Sequence, residues 1–273
     1  MPLISVVLPV YEADAAQLAL SISSVMMSDC KDLELVVGLD GPAQPDVLGM
    51  LMAVVSRTTF SARVLSLPRQ GLVSTLNALI DASDSSYIAR QDADDYSLPL
   101  RFSRQRYALE SDRANGFCGT QVCRCDAQLR PRVHQRSYPT GLRGQLAYAS
   151  LFNNPIAHPS LMLRRSVLQG LRYKEVPGAE DWQLYTDLWQ RGVRSFNLAS
   201  AELLYRTHPG QITARKRDGS ILQRLHRESY SAARMFGLDA GLQLPYRLSQ
   251  SFGLSEKLLS LRGHWRKRFT NTQ

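Results

Sequence analysis

The sequence predicts an α/β protein whose mainly parallel sheet carries helices on its faces. Short β-branched runs such as 4–10 and 33–37 alternate with segments whose apolar residues recur at helical spacing. These strand-like runs end in turn signals, of which Asp40-Gly41-Pro42 is the clearest. A chain of 273 residues with 44% hydrophobic and 21% charged residues also has the ordinary globular composition and can bury a substantial core.

The predicted elements follow the order from which parallel sheets are built, with a helical pattern between strand-like runs. Strands are predicted at 4–10, 33–37, 63–67, 87–91, 160–163, 194–198 and 202–206. Helices are predicted around 18–26 and 72–80, at 180–191 and from 221 onward. Residues 124–150 have weak periodicity, so we expect a long loop there.

The formal charge of +9 is confined to the last quarter of the chain. Residues 206–273 hold 13 basic and 4 acidic residues, whereas residues 1–205 hold 20 of each. Such an excess implies an anionic partner: a membrane surface, a nucleic acid or a phosphorylated ligand. Residues 255–273 mix Lys and Arg with Leu, Trp and Phe, which is typical of a helix lying in a membrane interface. A solvated helix packed on the rest of the protein is the alternative.

Several classes of protein conflict with the composition. Apolar runs stay far below the roughly 18 residues of a membrane-spanning helix, and no basic segment precedes an apolar one at the N-terminus. Four cysteines are too few for a disulfide scaffold, and Cys118, Cys123 and Cys125 match no zinc spacing. We therefore expect a cytoplasmic protein, with peripheral attachment to the inner face of the plasma membrane as a further hypothesis for the basic segment.

Acidic residues cluster where predicted strands end. Asp40 closes the second strand, and Asp92-Ala93-Asp94-Asp95 closes the strand at 87–91. Open parallel sheets bind ligands beyond the carboxyl ends of their strands. Three carboxylates within four residues repel one another unless a cation joins them, and oxygen ligands suit Mg²⁺ or Mn²⁺ together with substrate phosphates. The turn therefore predicts a divalent metal site; a solvated acidic turn is the alternative.

Five ordered blocks of sequence resemble those of family 2 glycosyltransferases. The first block joins Ser5–Glu12 and Asp40-Gly41, and the second joins Gly71–Ala78 and Tyr87–Phe102. The other three blocks are Asn154–Ser160, Glu180-Asp181-Trp182 and Tyr205–Thr213. The resemblance covers about residues 3–213. It implies the GT-A fold, a Rossmann-like nucleotide-diphospho-sugar transferase fold, with a catalytic domain over 1–213 and a basic helical extension over 214–273.

The resemblance also implies a reaction. A sugar would pass from a nucleotide-diphosphate donor, with a UDP-sugar favoured, to a hydroxyl of a saccharide or polyprenyl-linked acceptor. The transfer would invert the anomeric carbon, use Mn²⁺ or Mg²⁺, and serve cell-surface polysaccharide synthesis such as that of lipopolysaccharide. Nucleic acid is not expected among the partners.

Carried over residue by residue, the resemblance assigns Asp181 as the catalytic base. The residues assigned to the nucleotide-sugar are Pro9, Tyr11, Glu12, Asp40, Gly71, Asp92 and Ala93. Asp94 is assigned to the metal, and so is His208, for which a hydrogen-bonding role in its loop is the alternative. His158 is expected to fix a loop near the acceptor. Trp182 is expected in the core, with stacking on an acceptor sugar as the alternative.

The chain departs from the family pattern at two positions. Many relatives carry Asp-Asp-Gly-Ser where this chain has Leu39-Asp40-Gly41-Pro42, and position 12 is often Asn where Glu12 stands here. Neither departure removes a residue of the proposed chemistry, but both bear on which nucleotide base is bound.

Two other functions compete with glycosyl transfer. Phosphatase-like chemistry also uses Asp-x-Asp, but that motif normally ends the first strand and is accompanied by a threonine that is missing here. A basic membrane- or nucleic-acid-binding protein on a nucleotide-binding fold, without transferase activity, explains the last quarter of the chain. That function does not account for the acidic residues of the turn at 92–95 or for Asp181.

Overall fold

Eight strands form one sheet in the computed structural model, which describes residues 2–133, 135, 137–207, 218–243 and 246. The strands are β1 (Ile4–Val10), β2 (Leu33–Asp40), β3 (Ser61–Leu67), β4 (Tyr87–Arg90), β5 (Tyr96–Ser97), β6 (Asn115–Cys125), β7 (Met162–Arg164) and β8 (Arg194–Arg206). The helices are α1 (Ala15–Met26), α2 (Pro45–Val55), α3 (Leu72–Asp81), α4 (Arg101–Ser111), α5 (Leu142–Leu151), α6 (Glu180–Gln190) and α7 (Gly219–Met235). Short 3₁₀ turns cover His158–Ser160 and Arg165–Leu168.

The spatial order of the strands brings the ends of distant segments together. The order is β3-β2-β1-β4-β7-β6-β8-β5, in which β3, β2, β1 and β4 are parallel neighbours. β7 runs antiparallel to both β4 and β6, and β6 is parallel to β8. β1, β2, β3, β4, β6 and β8 therefore point the same way. Their carboxyl ends share one edge of the sheet, where a ligand site is expected.

The two faces of the sheet are covered by different helices. Alternate β1 residues, including Val6 and Leu8, pack in a cluster with α1, α2 and α4. Val7 points to the other face, where it packs in a cluster with α3, α5, α6 and α7. Because both faces are buried, β1 is a continuous apolar run rather than an alternating one. The predicted parallel sheet with helices on its faces is confirmed.

The middle of the chain differs from expectation because burial removes helical periodicity. The loop expected over 124–150 contains α5, in which Gln145 to Ser150 are six consecutive buried residues. A helix enclosed on all sides has no polar stripe, so its pattern does not indicate a helix. The strand expected at 160–163 begins at Met162, after a 3₁₀ turn. The helices α2 and α4 were not anticipated.

The two strands expected at 194–198 and 202–206 are one strand, β8. Its pairing with β6 shifts register between Thr120 and Gln121 and again between Gln121 and Val122. The first shift leaves residues 199 and 200 unpaired with β6, and these two residues are exposed and break the apolar pattern. β8 therefore continues to Arg206 at the edge of the sheet where the ligand site is expected.

The helix expected from residue 221 is α7, which ends at Met235. Its residues Leu225, Ala232 and Ala233 are buried in the cluster that also contains α5 and α6. The division into 1–213 and 214–273 stays a prediction, and residues 255–273 lie outside the described part of the chain. Among the described helices, none has both the length and the apolar character needed to cross a bilayer.

Close packing of β6 predicts the effect of one methyl group. A Cβ at Gly119 would lie 2.4 Å from Asn197 Oδ1 and 2.6 Å from Ile156 Cγ2, whereas a Cβ at Gly49 in α2 would have nothing within 4 Å. Gly119→Ala should lower the free energy of unfolding by about 1–3 kcal/mol. Gly49→Ala, the control, should raise it by roughly 0.5–1 kcal/mol. Urea denaturation measures both, and an unchanged Gly119→Ala protein would contradict the packing described here.

Candidate active site

Three carboxylates converge in the loop between β4 and β5, which we call the Asp loop (residues 91–95). One carboxylate oxygen from each of Asp92, Asp94 and Asp95 lies within 4.8 Å of the other two. The loop leaves the carboxyl end of β4, in the middle of the sheet. The sequence-predicted turn is therefore a compact acidic cluster at the expected edge.

Asp95 is the buried member of the cluster. Its side chain is 1% exposed, and Oδ1 accepts a hydrogen bond from the Arg206 main-chain N–H at 2.8 Å. Its Oδ2 is buried and has no hydrogen-bond partner among the described residues. Burial raises the pKa of Asp95 well above its usual value, and the charges of Asp92 and Asp94 raise it further. A divalent cation would partner Oδ2 and offset this repulsion, so the residues present fit the expected metal.

Two buried arginines hold the backbone around the cluster. Arg101, fully buried at the start of α4, donates to Gln91 Oε1 and Ser97 Oγ, both at 2.8 Å, and to the Arg90 carbonyl at 2.6 Å. Arg206, at the end of β8, donates from Nε to the Asp94 carbonyl at 2.7 Å. Sequence reasoning assigned no role to either arginine, although both lie in segments that carry the family resemblance.

Asp92 is fixed by a third arginine. It forms an ion pair with Arg90, the last residue of β4, which is 5% exposed. Burial by itself lowers the pKa of Arg90, but the neighbouring Asp92 carboxylate more than offsets this and raises it. The Asp92 carbonyl also accepts a hydrogen bond from Ser21 Oγ of α1 at 2.6 Å. The orientation of Asp92 is thus set from both sides of the loop.

The end of β2 supports the loop that begins α3. Asp40 Oδ1 accepts hydrogen bonds from the main-chain N–H groups of Gln70 at 2.7 Å and Gly71 at 3.2 Å. Gly71 caps α3 with φ of 85°, a left-handed conformation that glycine adopts without strain. Asp40 and Gly71, both assigned to the nucleotide, are therefore neighbours in the structure, and Asp40 anchors the glycine turn.

An exposed aromatic residue follows β1 next to this turn. Tyr11 is 51% exposed, and the Arg69 guanidinium lies 4.9 Å from the centroid of its ring. Glu12 has φ of 44° and pairs with Arg69 at 3.4 Å. Pro9 is half-buried in β1. Arg69, which sequence reasoning missed, thus joins the residues after β1 to those after β3.

Asp181 lies in the first turn of α6. The residue is buried, with 8% of its surface exposed. Its Oδ2 accepts a hydrogen bond from Asn154 Nδ2 at 2.5 Å, and its Oδ1 accepts one from the Trp182 main-chain N–H at 2.7 Å. The positive end of the helix dipole also favours a carboxylate in this turn. The contact with Asn154 was not anticipated, although Asn154 opens one of the resembling blocks.

A buried His–Tyr pair lies between the two acidic sites. His158 Nε2 and the Tyr173 hydroxyl are 2.8 Å apart, and Asn77 Oδ1 accepts from the Tyr173 main-chain N–H at 3.0 Å. The charge of Arg90 acts on both rings, and the Asp181 charge acts on Tyr173. His158 therefore joins neighbouring segments, as expected for a residue that fixes a loop.

The remaining assigned residues divide into three cases. Ala93 is half-buried within the Asp loop. Trp182 is 0% exposed, so the alternative in which it stacks on an acceptor sugar is wrong and the core placement is correct. His208 lies outside the described residues.

Residues 5–172 match the sequence profile of the family described as Glycosyl transferase family 2. The chain belongs to this family. The match includes the Asp loop and the segments around Asp40 and Gly71. Family membership decides between the competing functions in favour of a glycosyltransferase.

Named relatives of this family member act in polysaccharide synthesis. The chain is 27% identical over 215 residues to the O-antigen biosynthesis glycosyltransferase WbnJ of Escherichia coli, and the match covers 76% of this chain and 81% of WbnJ. It is 26% identical over 190 residues to the amylovoran biosynthesis glycosyltransferase AmsE of Erwinia amylovora, covering 68% of each chain.

Solved structures share the fold at low sequence identity. The mannosyltransferase PcManGT from Pyrobaculum calidifontis, in complex with GDP-Man and Mn²⁺, superposes with a TM-score of 0.62 at 15% identity, over 97% of this chain and 88% of that one. Residues 1–349 of S. aureus TarS, in complex with UDP-GlcNAc, give 0.61 at 15% identity, over 84% of this chain and 66% of the fragment. The match covers 39% of a longer TarS chain. These similarities confirm the GT-A fold.

The buried His158 makes folding stability depend on pH. Burial lowers its pKa well below 6.5, and the Arg90 charge lowers it further. As the pH falls through about 6.5, His158 becomes protonated in the unfolded chain but stays neutral in the folded protein. The free energy of unfolding therefore decreases on acidification. His158→Gln should keep a hydrogen bond to Tyr173 and lose this dependence, which for one proton is at most about 1.4 kcal/mol per pH unit.

Urea denaturation of both proteins between pH 7.5 and pH 5 measures the difference. Other groups titrate in the same range, so the quantity that matters is the gap between the two stability curves. We expect that gap to move in favour of His158→Gln as the pH falls. Curves that stay parallel would show that His158 takes up its proton equally well in the folded and unfolded states.

Proposed function

We propose that this glycosyltransferase moves a sugar from a nucleotide-diphosphate donor to a hydroxyl of a saccharide or lipid-linked saccharide acceptor, with inversion, in surface-polysaccharide synthesis. The observation that carries the proposal is the acidic cluster at the carboxyl edge of the sheet, in which the buried Asp95 Oδ2 finds no hydrogen-bond partner in the described part of the chain. The complexes named for TarS and PcManGT and the polysaccharide roles named for WbnJ and AmsE support the same donor and acceptor classes.

The Asp loop would hold the metal through Asp94 and its neighbouring carboxylates. A divalent ion such as Mn²⁺ or Mg²⁺ acts as a Lewis acid that neutralises charge developing on a diphosphate leaving group. The chain contributes a ligand set fixed in advance, because Arg101 and Arg206 hold the loop backbone. His208 stays a proposed further ligand.

The donor would lie along the carboxyl ends of β1, β2 and β4. Tyr11 offers an exposed ring for the nucleotide base, with Glu12, Pro9 and Arg69 beside it. Asp40 would act on the nucleotide both directly and through the Gly71 turn that it anchors. Asp92 and Ala93 would face the ribose and diphosphate from the Asp loop.

Asp181 would be the general base. An acceptor hydroxyl is a weak nucleophile until a positioned carboxylate takes its proton, which is the role of such a group in general base catalysis. The two hydrogen bonds from Asn154 and Trp182 fix the orientation of the carboxylate. One base, on the face of the sugar opposite the leaving group, is sufficient for a single displacement, and a single displacement inverts the anomeric carbon.

The place of action is also part of the proposal. A lipid-linked acceptor would be met at the inner face of the plasma membrane, where basic residues that follow the buried Arg206 would face anionic headgroups. Attachment through 255–273 stays a prediction, since those residues lie outside the described part of the chain.

The first test removes one metal ligand. Asp94→Asn should weaken Mn²⁺-dependent binding of a nucleoside diphosphate at least tenfold while the protein stays folded, since a neutral amide is a poor ligand for a divalent cation. Asp84→Asn is the control: it removes the same charge from an exposed residue before β4, at the opposite edge of the sheet. Calorimetry with UDP and with GDP, each with Mn²⁺ and with EDTA, measures the effect. Equal binding by the two variants would refute the assignment of Asp94.

The second test removes the proposed base. Asp181→Asn should leave donor binding intact and lower turnover by about 10²–10⁴-fold, the usual contribution of a general base. Glu180→Gln changes the adjacent carboxylate in the same helical turn and should retain most of the activity. Release of nucleoside diphosphate from the donor that wild type uses gives the rate. If Glu180→Gln is the inactive variant and Asp181→Asn is not, the base has been assigned to the wrong residue.

A further inference from the structure

Helix α7 lies beyond the segment that matches the family profile, yet it packs against α6, the helix that carries the proposed base. The profile ends at residue 172, and α7 spans Gly219–Met235. Leu225 is fully buried against the cluster formed by α5 and α6. Arg224 donates to Gln183 of α6 and pairs with Glu228 at 3.2 Å. The helix is therefore attached to α6 by polar as well as apolar contacts.

The first link to the base runs through Trp182, its neighbour in sequence. The Trp182 indole is fully buried, and its Nε1–H donates to Ser229 Oγ of α7 at 3.3 Å. The Trp182 main-chain N–H donates to Asp181 Oδ1 at 2.7 Å. Ser229 thus fixes the residue whose backbone holds one oxygen of the proposed base.

The second link runs through His226, which touches both α5 and α6. Its ring lies edge-on to Trp182, with centroids 5.1 Å apart and planes at 78°. Its Nδ1 lies 2.8 Å from the Ala149 carbonyl of α5, and since a carbonyl only accepts, Nδ1 carries the proton. Burial lowers the pKa of His226, so the ring is neutral near pH 7.

The segment that follows α5 supplies the other oxygen contact. α5 ends at Leu151, and three residues later Asn154 donates from Nδ2 to Asp181 Oδ2 at 2.5 Å. The turn between them is closed by hydrogen bonds from the main-chain N–H groups of Phe152 and Asn153 to the Tyr148 carbonyl. One oxygen of Asp181 is thus held by Trp182 of α6, which α7 contacts, and the other by the segment that directly follows α5, which α7 also contacts.

We propose that His226 and Ser229 are positioning residues for Asp181: by joining α5 to α6, they fix the two donors that orient the carboxylate. The inference rests on the proposed role of Asp181 as the base. It assigns α7 a function in turnover that is separate from donor binding, since α7 is attached on the α5–α6 side and the Asp loop is held by Arg101 and Arg206.

The test compares four substitutions in the full chain, of which Ser229→Ala removes the acceptor of the Trp182 indole N–H. His226→Leu removes the ring edge and the N–H donor. His226→Asn places an amide N–H close to the position of Nδ1 and keeps the donor to Ala149. Gln223→Ala is the matched control, because Gln223 is exposed on the same helix. Calorimetry with nucleoside diphosphate and Mn²⁺ counts the competent donor sites in each protein, so kcat is expressed per donor-binding site.

We expect His226→Leu to lower kcat per site by roughly tenfold or more while the KM for the donor stays within twofold, because a small displacement of a reacting group is costly. His226→Asn should recover part of the loss, Ser229→Ala should show a smaller loss, and Gln223→Ala should match wild type. A purely structural role would lower the melting temperature and the number of competent sites and leave kcat per site unchanged. That result would overturn the proposal, as would a parallel loss of donor affinity.

A second measurement does not need turnover. Hydrogen–deuterium exchange of residues 179–184 reports the order of the first turn of α6. Protection there should fall in His226→Leu and be kept in Gln223→Ala. If wild type uses no donor, the proposed function fails while this exchange result still tests the link through α7. Unchanged protection in His226→Leu overturns that link, whatever the enzyme assays show.

Discussion

Repulsion among three carboxylates is the constraint on which the rest of the site depends. Asp92, Asp94 and Asp95 lie within 4.8 Å of one another, and one of them is almost fully buried. Such a cluster is unstable unless its backbone is held and its charge is balanced. The chain meets both needs with guanidinium groups: Arg90 pairs with the Asp92 carboxylate, and Arg101 donates to the Arg90 carbonyl at the start of the loop. The carboxylates are thus held by the chain itself in an arrangement that would suit a divalent ion.

The two acidic sites are supported by different elements of the fold. The Asp loop depends on α1, α4 and β8, whereas Asp181 depends on the segment after α5 and on Trp182. The charges of both Asp92 and Asp181 act on the buried Tyr173, whose hydroxyl contacts His158. A substitution among the supports of one site can therefore alter that site while sparing the other.

The sequence was most informative where function depends on neighbouring residues. The Asp loop, the Asp40-Gly41 turn and Asp181 occur in short patterns, so they could be located without the structure. The supports could not, because Arg206 and Asp95, or Asn154 and Asp181, are joined only by folding. The helix α5 was missed for a different reason: burial on all sides removed the periodicity that indicates a helix.

The hydrogen bond from the Arg206 main-chain N–H to Asp95 spans 111 residues of chain. During synthesis, the Asp loop leaves the ribosome long before β8 exists, and until then one oxygen of Asp95 lacks its donor. The acidic ligand set can be completed only when β8 has paired with β6. A partly made chain therefore lacks the finished cluster, and if the cluster holds a metal as proposed, metal-dependent nucleotide binding would report that β8 is in place.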